Sequence, residues 1–436
     1  MKNYPAQLPL EPLPAPPTVT VRVPGSKSIT NRALPLAALL ARAQTLTLTG
    51  CLHSEDTEVM VTALQQLGFG VQIDWPTGVA TLHTPAAEPL IPATSADLFV
   101  ANSGTTMRFL TALVALGHGI YRLDGIPRMR ERPIADLLAA LSAAGVAAQS
   151  VLVRGYPPVE IRAAGLAGGR LRVRGDVSSQ FLTGLLLAAP FARQATTITV
   201  DGPMVSQPYI DMTVTMLRQF GIAVERPEPG IFQVPGQRTP PPATYAIEPD
   251  ASAASYFLAA AAVTGGQVTV TGMDMGTLQG DALFADLLVE MGCNIELAPT
   301  GMTIVGRPLH GIRVDMNAIS DTVMTLAVVA CFAAGPTTIH NVAHIRHKET
   351  DRLSALATEL RKVGVRIDER PDGLTITPGP LRGATLATYN DHRMAMSLAL
   401  LGLRIPGIVI DQPGCVVKTY PGFWHDWEQL RQPTSA

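Results

Sequence analysis

A chain of 436 residues exceeds one ordinary core, so two domains of about 200 residues each are expected. Hydrophobic residues make up 47% against 16% charged, which is ample for buried cores, whereas 5% aromatics argue against base-stacking platforms for single-stranded nucleic acid. A net charge of −2 gives no global attraction to a polyanion, so any anionic ligand must be held by local clusters of Arg and Lys.

The first stretch, MKNYPAQLPLEPLPAPP, is proline-rich without an apolar h-region and reads as no secretory signal. No uninterrupted run of about 20 apolar residues follows, so no membrane span is expected and the chain reads as cytoplasmic. Cys51, Cys293, Cys331 and Cys415 are widely separated with no CxxC pair, which indicates neither a disulfide framework nor a zinc site.

Along the chain one pattern recurs: a polar loop, a very apolar helix, a small-residue turn and a β-branched strand closing near Gly. Its copies open at PGSKSITNR (Pro24), ANSGTTMR (Ala101), GDVSSQFLTG (Gly175), PDASAASYF (Pro249), SDTVMT (Ser320) and YNDHRMAM (Tyr389). Their strands end at Gly50, Gly125, Gly202, Gly272, Ala343 and Gly414, at successive gaps of 75, 77, 70, 71 and 71 residues. After five of them an amphipathic helix ends at Gly68, Gly145, Gly221, Gly292 or Gly364, where glycine suits a left-handed cap. The sixth copy is cut short, and TYPGFWHDWEQL stands where the second helix is due.

The first helix of each copy is apolar nearly all round and belongs in a core; the second is amphipathic and half exposed. Six copies make two lobes of three, with joints near Val23–Pro24 and in the proline-rich stretch Pro235–Tyr245. A hinged protein with its ligand cleft between lobes is the expectation.

The polar loops head helices, whose N-termini offer unpaired N–H groups and a positive dipole end to anions. In PGSKSITNR, Ser26 or Ser28 can cap, Lys27 sits at the helix mouth, and Arg32 lies one turn beyond Ser28. An ordinary capped helix with a surface lysine would read the same. It is no Walker A loop, since Val21 and Ser26 stand where glycines are needed. In NSGTTMR, Gly104 lets a ligand approach the backbone, beside the small donors Asn102, Ser103 and Thr105. PRMRERP sets Arg128, Arg130 and Arg132 between two prolines, an anion clamp or a solvated charge run. Ser178, Ser179 and Gln180 head an apolar helix, and SQPYID adds Ser206 and Tyr209. Asp321 stands at a helix start, where capping is its plain role. HIRHKETDR holds Arg346, Lys348, Glu349 and Arg352, with Lys348 and Arg352 expected on one helical face. His392 and Arg393 precede an apolar helix, and Lys418 follows in VVKTYP.

These motifs occur in order at the separations of a known family, and the chain resembles 5-enolpyruvylshikimate-3-phosphate synthases from about Thr18 to the region of Trp427. The resemblance implies two inside-out α/β barrel (prism) lobes, each of three repeated βαβαββ-type units. Residues 1–24 plus 244–436 form one lobe and 25–243 the central one, with the active site in the cleft between them. It implies transfer of the enolpyruvyl group of phosphoenolpyruvate to shikimate 3-phosphate with release of phosphate, and needs no metal or cofactor. Small-molecule substrates, a monomer, and no nucleic-acid or membrane partner are expected.

Carried over by motif, Lys27, Ser28, Arg32, Ser178, Ser179, Gln180, Ser206, Tyr209, Asp321, His344 and Lys348 resemble the shikimate 3-phosphate contacts. Lys27, Asn102, Gly104, Arg132, Gln180, Glu349, Arg352, His392, Arg393 and Lys418 resemble the phosphoenolpyruvate contacts. Asp321 resembles the base for the 5-hydroxyl and Glu349 the acid for the methylene carbon, with Lys27, Lys348 and His392 as further catalytic participants. His344 departs from the Asn or Ser frequent in the family, Phe109 from Pro or Leu, and Thr106 from a smaller residue. Glyphosate is expected to inhibit because Gly104 leaves room, with Phe109 weakening it. A sister transferase acting on UDP-N-acetylglucosamine carries a loop Cys that GIPRMRERP lacks, and an RNA 3′-phosphate cyclase-like protein would call for a more basic surface.

Overall fold

The computed structural model describes residues 4–42, 44–84, 89–273 and 276–431. They divide into two compact units, Gly25–Ile247 and the terminal segments Met1–Pro24 with Glu248–Ala436.

The central unit carries α1 (Lys27–Leu40), α2 (Glu55–Gln66), α3 (Gly104–Leu113), α4 (Ala135–Ala143), α5 (Ser179–Ala188) and α6 (Gln207–Gln219). Helices α1, α3 and α5 are apolar over most of their surface and buried nearly all round, with α1 resting chiefly on α2 and α3 packed closely on α5. Gly184 of α5 makes this close approach possible, since a Cβ there would lie 2.8 Å from the Arg108 carbonyl oxygen of α3. Helices α2, α4 and α6 bury one face only.

The strands that flank a buried helix pair in parallel, and a hairpin strand joins them antiparallel. Ser95–Phe99 and His118–Asp124 do so around α3, joined by Val159–Ala164 and then Ala147–Ser150. Gly169–Arg174 and Thr196–Asp201 do so around α5, joined by Ile231–Val234. Around α1 the rule is broken. The parallel partner of Leu46–Thr49 is Thr244–Ala246, the strand that leads towards the terminal unit's first helix. Thr18–Val21, which leads into α1, pairs instead with Gln267–Thr271 of the terminal unit. The chain therefore changes unit twice, after Pro24 and after Ile247. Because Thr244–Ala246 belongs to the central sheet, that unit runs to Ile247 instead of ending at residue 243.

The terminal unit repeats the plan with α7 (Ala251–Thr264), α8 (Phe284–Glu290), α9 (Val323–Val329), α10 (Arg352–Lys362), α11 (His392–Ala399) and α12 (Phe423–Trp427). Helices α7, α9 and α11 form its buried centre. Arg313–Asp315 and Thr337–His340 pair in parallel around α9, and Thr385–Ala387 and Ile408–Asp411 around α11. The sixth copy has no hairpin of its own, and Gln7–Leu10 from the chain's start supplies the antiparallel strand. Where its second helix is due, Phe423 of α12 packs its ring 5.0 to 6.1 Å from Tyr256, Phe257, Tyr420, Trp424 and Trp427. Aromatic burial replaces the missing amphipathic face.

Helices lie inside and sheets outside in both units, an inside-out α/β fold. The five helix-ending glycines have φ between +79° and +117°, each two residues past the helix it stops.

Candidate active site

In the central unit Ser26, not Ser28, caps α1, its Oγ accepting from the Ile29 N–H at 3.4 Å. This places Lys27 in the first turn, where its Nζ lies 3.7 Å from the buried Asp56 carboxylate. Arg32, one turn past Ser28, donates from Nη1 to the Ser28 carbonyl (2.8 Å), from Nε to Thr213 Oγ1 (2.8 Å) and from Nη2 to the Tyr209 carbonyl (3.2 Å). Its guanidinium lies over the rings of Phe109 (5.3 Å) and Tyr209 (5.9 Å). Burial pushes the Arg32 pKa down to about 10, which still leaves it cationic at neutral pH. Ser28, Arg32 and Tyr209 are thus joined, and Phe109 forms the floor beneath Arg32. Ser206 precedes α6 in the left-handed region, at φ +53°.

A second cluster gathers at the heads of α3 and α5. Ser103 caps α3, accepting from the Thr106 N–H at 3.3 Å, and its Oγ lies 2.8 Å from Thr106 Oγ1, so the extra hydroxyl of Thr106 serves the cap. Arg132 Nη1 donates to the Asn102 carbonyl (2.9 Å) and to Asn102 Oδ1 (3.3 Å). A Cβ on Gly104 would stand 2.5 Å from Arg132 Nη2 and 3.1 Å from Gln180 Oε1. Gln180 follows the α5 cap, Ser178, whose Oγ accepts from its N–H at 3.2 Å. Asn102, Gly104, Arg132 and Gln180 therefore converge from three separate loops, with Ser178 and Ser179 alongside Gln180. Arg128 and Arg130 point elsewhere, to Glu131 (2.8 Å) and Asp124 (2.9 Å). Arg108 fixes the loop by donating from Nη2 to the Pro133 carbonyl at 2.8 Å.

In the terminal unit Asp321 does not cap. It sits in the turn Ser320–Thr322 before α9 and receives three cations: Lys348 and Arg352 Nη1 (3.2 Å) on Oδ1, and Arg393 Nη2 (2.7 Å) on Oδ2. Arg352 is fully buried and also binds Glu349 Oε2 through Nη2 (2.9 Å) and Asp391 Oδ2 through Nε (2.8 Å). Burial weakens the Arg352 cation, but Asp391, Glu349 and Asp321 outweigh it and raise its pKa above the ordinary arginine value. Lys418, ending the turn Pro413–Lys418, brings its Nζ 3.8 Å from Glu349 Oε1.

Lys348 and Arg352 do not share a helical face. The helix begins only at Arg352, capped by Asp351, and Lys348 follows the separate turn Ala343–His347. Asp321 unites them instead. Arg346 is a brace, binding Asp351 (2.9 Å), Glu369 (3.0 Å) and the Arg370 carbonyl (2.7 Å). His344 Nε2 lies 2.9 Å from Ser320 Oγ, to which Lys348 Nζ also donates at 3.4 Å. Burial and the nearby Lys348 drive its pKa down to about 3, so this imidazole is neutral. His392 is buried at the first position of α11, its Nδ1 3.6 Å from Asp391 Oδ1.

Sequence reasoning missed Asp56 and Asp391, the carboxylates behind Lys27 and Arg352. Asp391 also caps α11, accepting from the Arg393 N–H at 2.9 Å. A cap is all that local sequence reveals of it. Tyr389 and Asn390, both left-handed at φ +55° and +53°, turn the chain so that Asp391 reaches Arg352. Among the described residues no group of three or more His, Cys, Asp or Glu is placed to hold a metal ion, and no helix is long and apolar enough to cross a membrane.

Comparison with known proteins bears on this arrangement. The family model for EPSP synthase (3-phosphoshikimate 1-carboxyvinyltransferase) matches residues 14–427. A 3-phosphoshikimate 1-carboxyvinyltransferase of Nostoc punctiforme is 46% identical over 412 residues, 94% of this chain and 96% of the relative. That of Shewanella loihica is 45% identical over 415 residues, 95% of this chain and 97% of the relative. Among solved structures, EPSP synthase from Acinetobacter baumannii superimposes with a TM-score of 0.79 at 26% identity, covering 97% of this chain and 98% of the other. The enolpyruvyl transferase NikO from Streptomyces tendae, at TM-score 0.73 and 19% identity over 97% of each chain, shares the fold.

Proposed function

The chain belongs to the EPSP synthase (3-phosphoshikimate 1-carboxyvinyltransferase) family, and on that premise we propose that it transfers the enolpyruvyl group of phosphoenolpyruvate to the 5-hydroxyl of shikimate 3-phosphate, releasing phosphate. The observation that carries this reading to individual residues is the Asp321 carboxylate held by Lys348, Arg352 and Arg393, with Glu349 on the same Arg352.

Two highly anionic substrates repel each other, and several fixed cations offset that repulsion and orient the reacting atoms. Arg352, Arg393 and Lys418, with Arg132 over Gly104, take phosphoenolpyruvate. Asn102, Gln180 and His392 complete its set. Ser28, Arg32, Ser178, Ser179, Gln180, Ser206, Tyr209, His344 and Lys348 take shikimate 3-phosphate, and Lys27 serves both substrates.

Glu349 gives its proton to the methylene carbon of phosphoenolpyruvate, which leaves cationic character at C2. Asp321 removes the proton of the 5-hydroxyl, and the oxygen attacks C2 to form a tetrahedral adduct. A proton then leaves the new methyl group as the C–O bond to phosphate breaks, which restores the double bond. Acid and base roles need carboxyl groups in different surroundings. Asp321 faces three cations, whereas Glu349 shares Arg352 and has Lys418 farther off at 3.8 Å. A cytoplasmic monomer that uses no cofactor completes the proposal.

The test is phosphate release from phosphoenolpyruvate with shikimate 3-phosphate or UDP-N-acetylglucosamine as acceptor. Turnover is expected with the former alone. Asp321→Ala and Lys27→Met should each lose at least about 10³-fold in kcat with the circular-dichroism spectrum unchanged. Full activity in either variant overturns that residue's role.

A further inference from the structure

Arg393 reaches beyond the substrate groups to a polar pair that the reaction scheme leaves unused. Its Nη2, which binds Asp321 at 2.7 Å, also donates to Ser252 Oγ at 3.3 Å, and its Nη1 donates to Tyr256 Oη at 3.4 Å. Ser252 and Tyr256 are one turn apart at the start of α7 and face the same way. Burial pushes the Tyr256 phenol up to about 12, so it is a neutral partner.

Behind Ser252 lies Asp281, a buried carboxylate on the turn Gly280–Leu283 that accepts a hydrogen bond from the Ser252 hydroxyl. The same turn is locked to α7 by Gln279, whose Oε1 accepts from the Ala251 N–H (3.0 Å) and whose Nε2 donates to the Pro249 carbonyl (2.7 Å). The polarity of this chain is set by chemistry. A guanidinium has only donors, so Ser252 Oγ must accept from Arg393, and the hydroxyl hydrogen must go elsewhere. Asp281, an acceptor when ionised, takes it.

We infer that Ser252 and Asp281 are positioning residues: by fixing the acceptor face of the Ser252 hydroxyl they hold the Arg393 guanidinium where it meets phosphoenolpyruvate. This rests on the reading of Arg393 as a phosphoenolpyruvate ligand, and the test separates the two.

Steady-state kinetics with each substrate varied are measured for the full-length Ser252→Ala, Ser252→Thr, Asp281→Asn and Arg393→Lys variants, alongside their thermal midpoints. Ser252→Ala favours the helix, and Asp281→Asn keeps the volume but blurs the hydroxyl's polarity, so both should fold. Each is expected to raise KM for phosphoenolpyruvate about tenfold while KM for shikimate 3-phosphate stays within about twofold. Ser252→Thr, which keeps the hydroxyl, should restore the wild-type value. If Arg393→Lys raises KM for phosphoenolpyruvate but Ser252→Ala and Asp281→Asn do not, the positioning role is wrong. Equal rises in both KM values, or no rescue by Thr, overturn it as well. If Arg393→Lys itself leaves KM for phosphoenolpyruvate unchanged, the ligand reading fails, and the inference with it.

Discussion

Gly104→Ala is a single-carbon test of the phosphoenolpyruvate set. The new Cβ would lie 2.5 Å from Arg132 Nη2 and 3.1 Å from Gln180 Oε1. Non-bonded heavy atoms settle near about 3.5 Å, so the guanidinium must retreat by about 1 Å. Nη1 of the same group is tied to the Asn102 carbonyl at 2.9 Å and to Oδ1 at 3.3 Å, and a retreat of that size carries at least the longer bond past hydrogen-bonding range. Displacing a substrate-binding group by about 1 Å costs on the order of 10²-fold. KM for phosphoenolpyruvate is therefore expected to rise about 10- to 100-fold, with KM for shikimate 3-phosphate within about twofold. The fold should not suffer. Gly104 opens α3 without a left-handed backbone, and alanine in a helix favours stability by about 0.5–1 kcal/mol over glycine. The assay is coupled phosphate release with each substrate varied, alongside a thermal melt. Weaker inhibition by glyphosate should track the higher KM. An unchanged KM for phosphoenolpyruvate in a well-folded variant would refute the placement of Arg132 and Gly104 in this set.

Two further outcomes follow from the buried charges of the terminal unit. Asp391→Ala removes a carboxylate from a fully buried Arg352 and the cap from α11, so chemical denaturation should show a loss of about 3–5 kcal/mol, together with inactivity. Asp391→Asn keeps the cap and should lose less; equal losses would mean that the cap contributes nothing and the lost charge accounts for the whole effect. His344, with its pKa depressed from 6.5 to about 3, stays neutral in the folded chain while the unfolded chain takes up a proton below about pH 6.5. Its contribution is therefore full above pH 6.5 and is lost as the pH falls towards 3, by about 1.4 kcal/mol per pH unit. Between pH 7 and 4.5 the stability of the native chain should fall by about 2–3 kcal/mol relative to His344→Asn, and parallel urea midpoints across that range would refute the neutral buried imidazole.

The repeat, its buried helices and its glycine stops were legible in the sequence because they rest on local periodicity and on one residue's freedom of φ. Gly68, Gly145, Gly221, Gly292 and Gly364 all take the left-handed conformation that their positions called for. The gathering of NSGTTMR, RMRERP and SSQ residues into one cluster followed from the resemblance, but their distances did not. Residue spacing alone sets Lys348 and Arg352 on one helical face, but it says nothing of the turn Ala343–His347, after which the helix begins only at Arg352.

What the sequence determined by itself is therefore the family, the sixfold α/β plan and the identity of the cations available to two anionic substrates. The resemblance already set Thr18–Val21 in the terminal lobe, and tertiary structure decided that Thr244–Ala246 takes its place beside Leu46–Thr49 in the central sheet. It also decided which carboxylate meets which cation. Asp56, Asp281 and Asp391 look like any helix-end or loop aspartate in sequence, and only the folded chain brings them against Lys27, Ser252 and Arg352. Charge pairing acts over a few ångströms in space, whatever the separation along the chain.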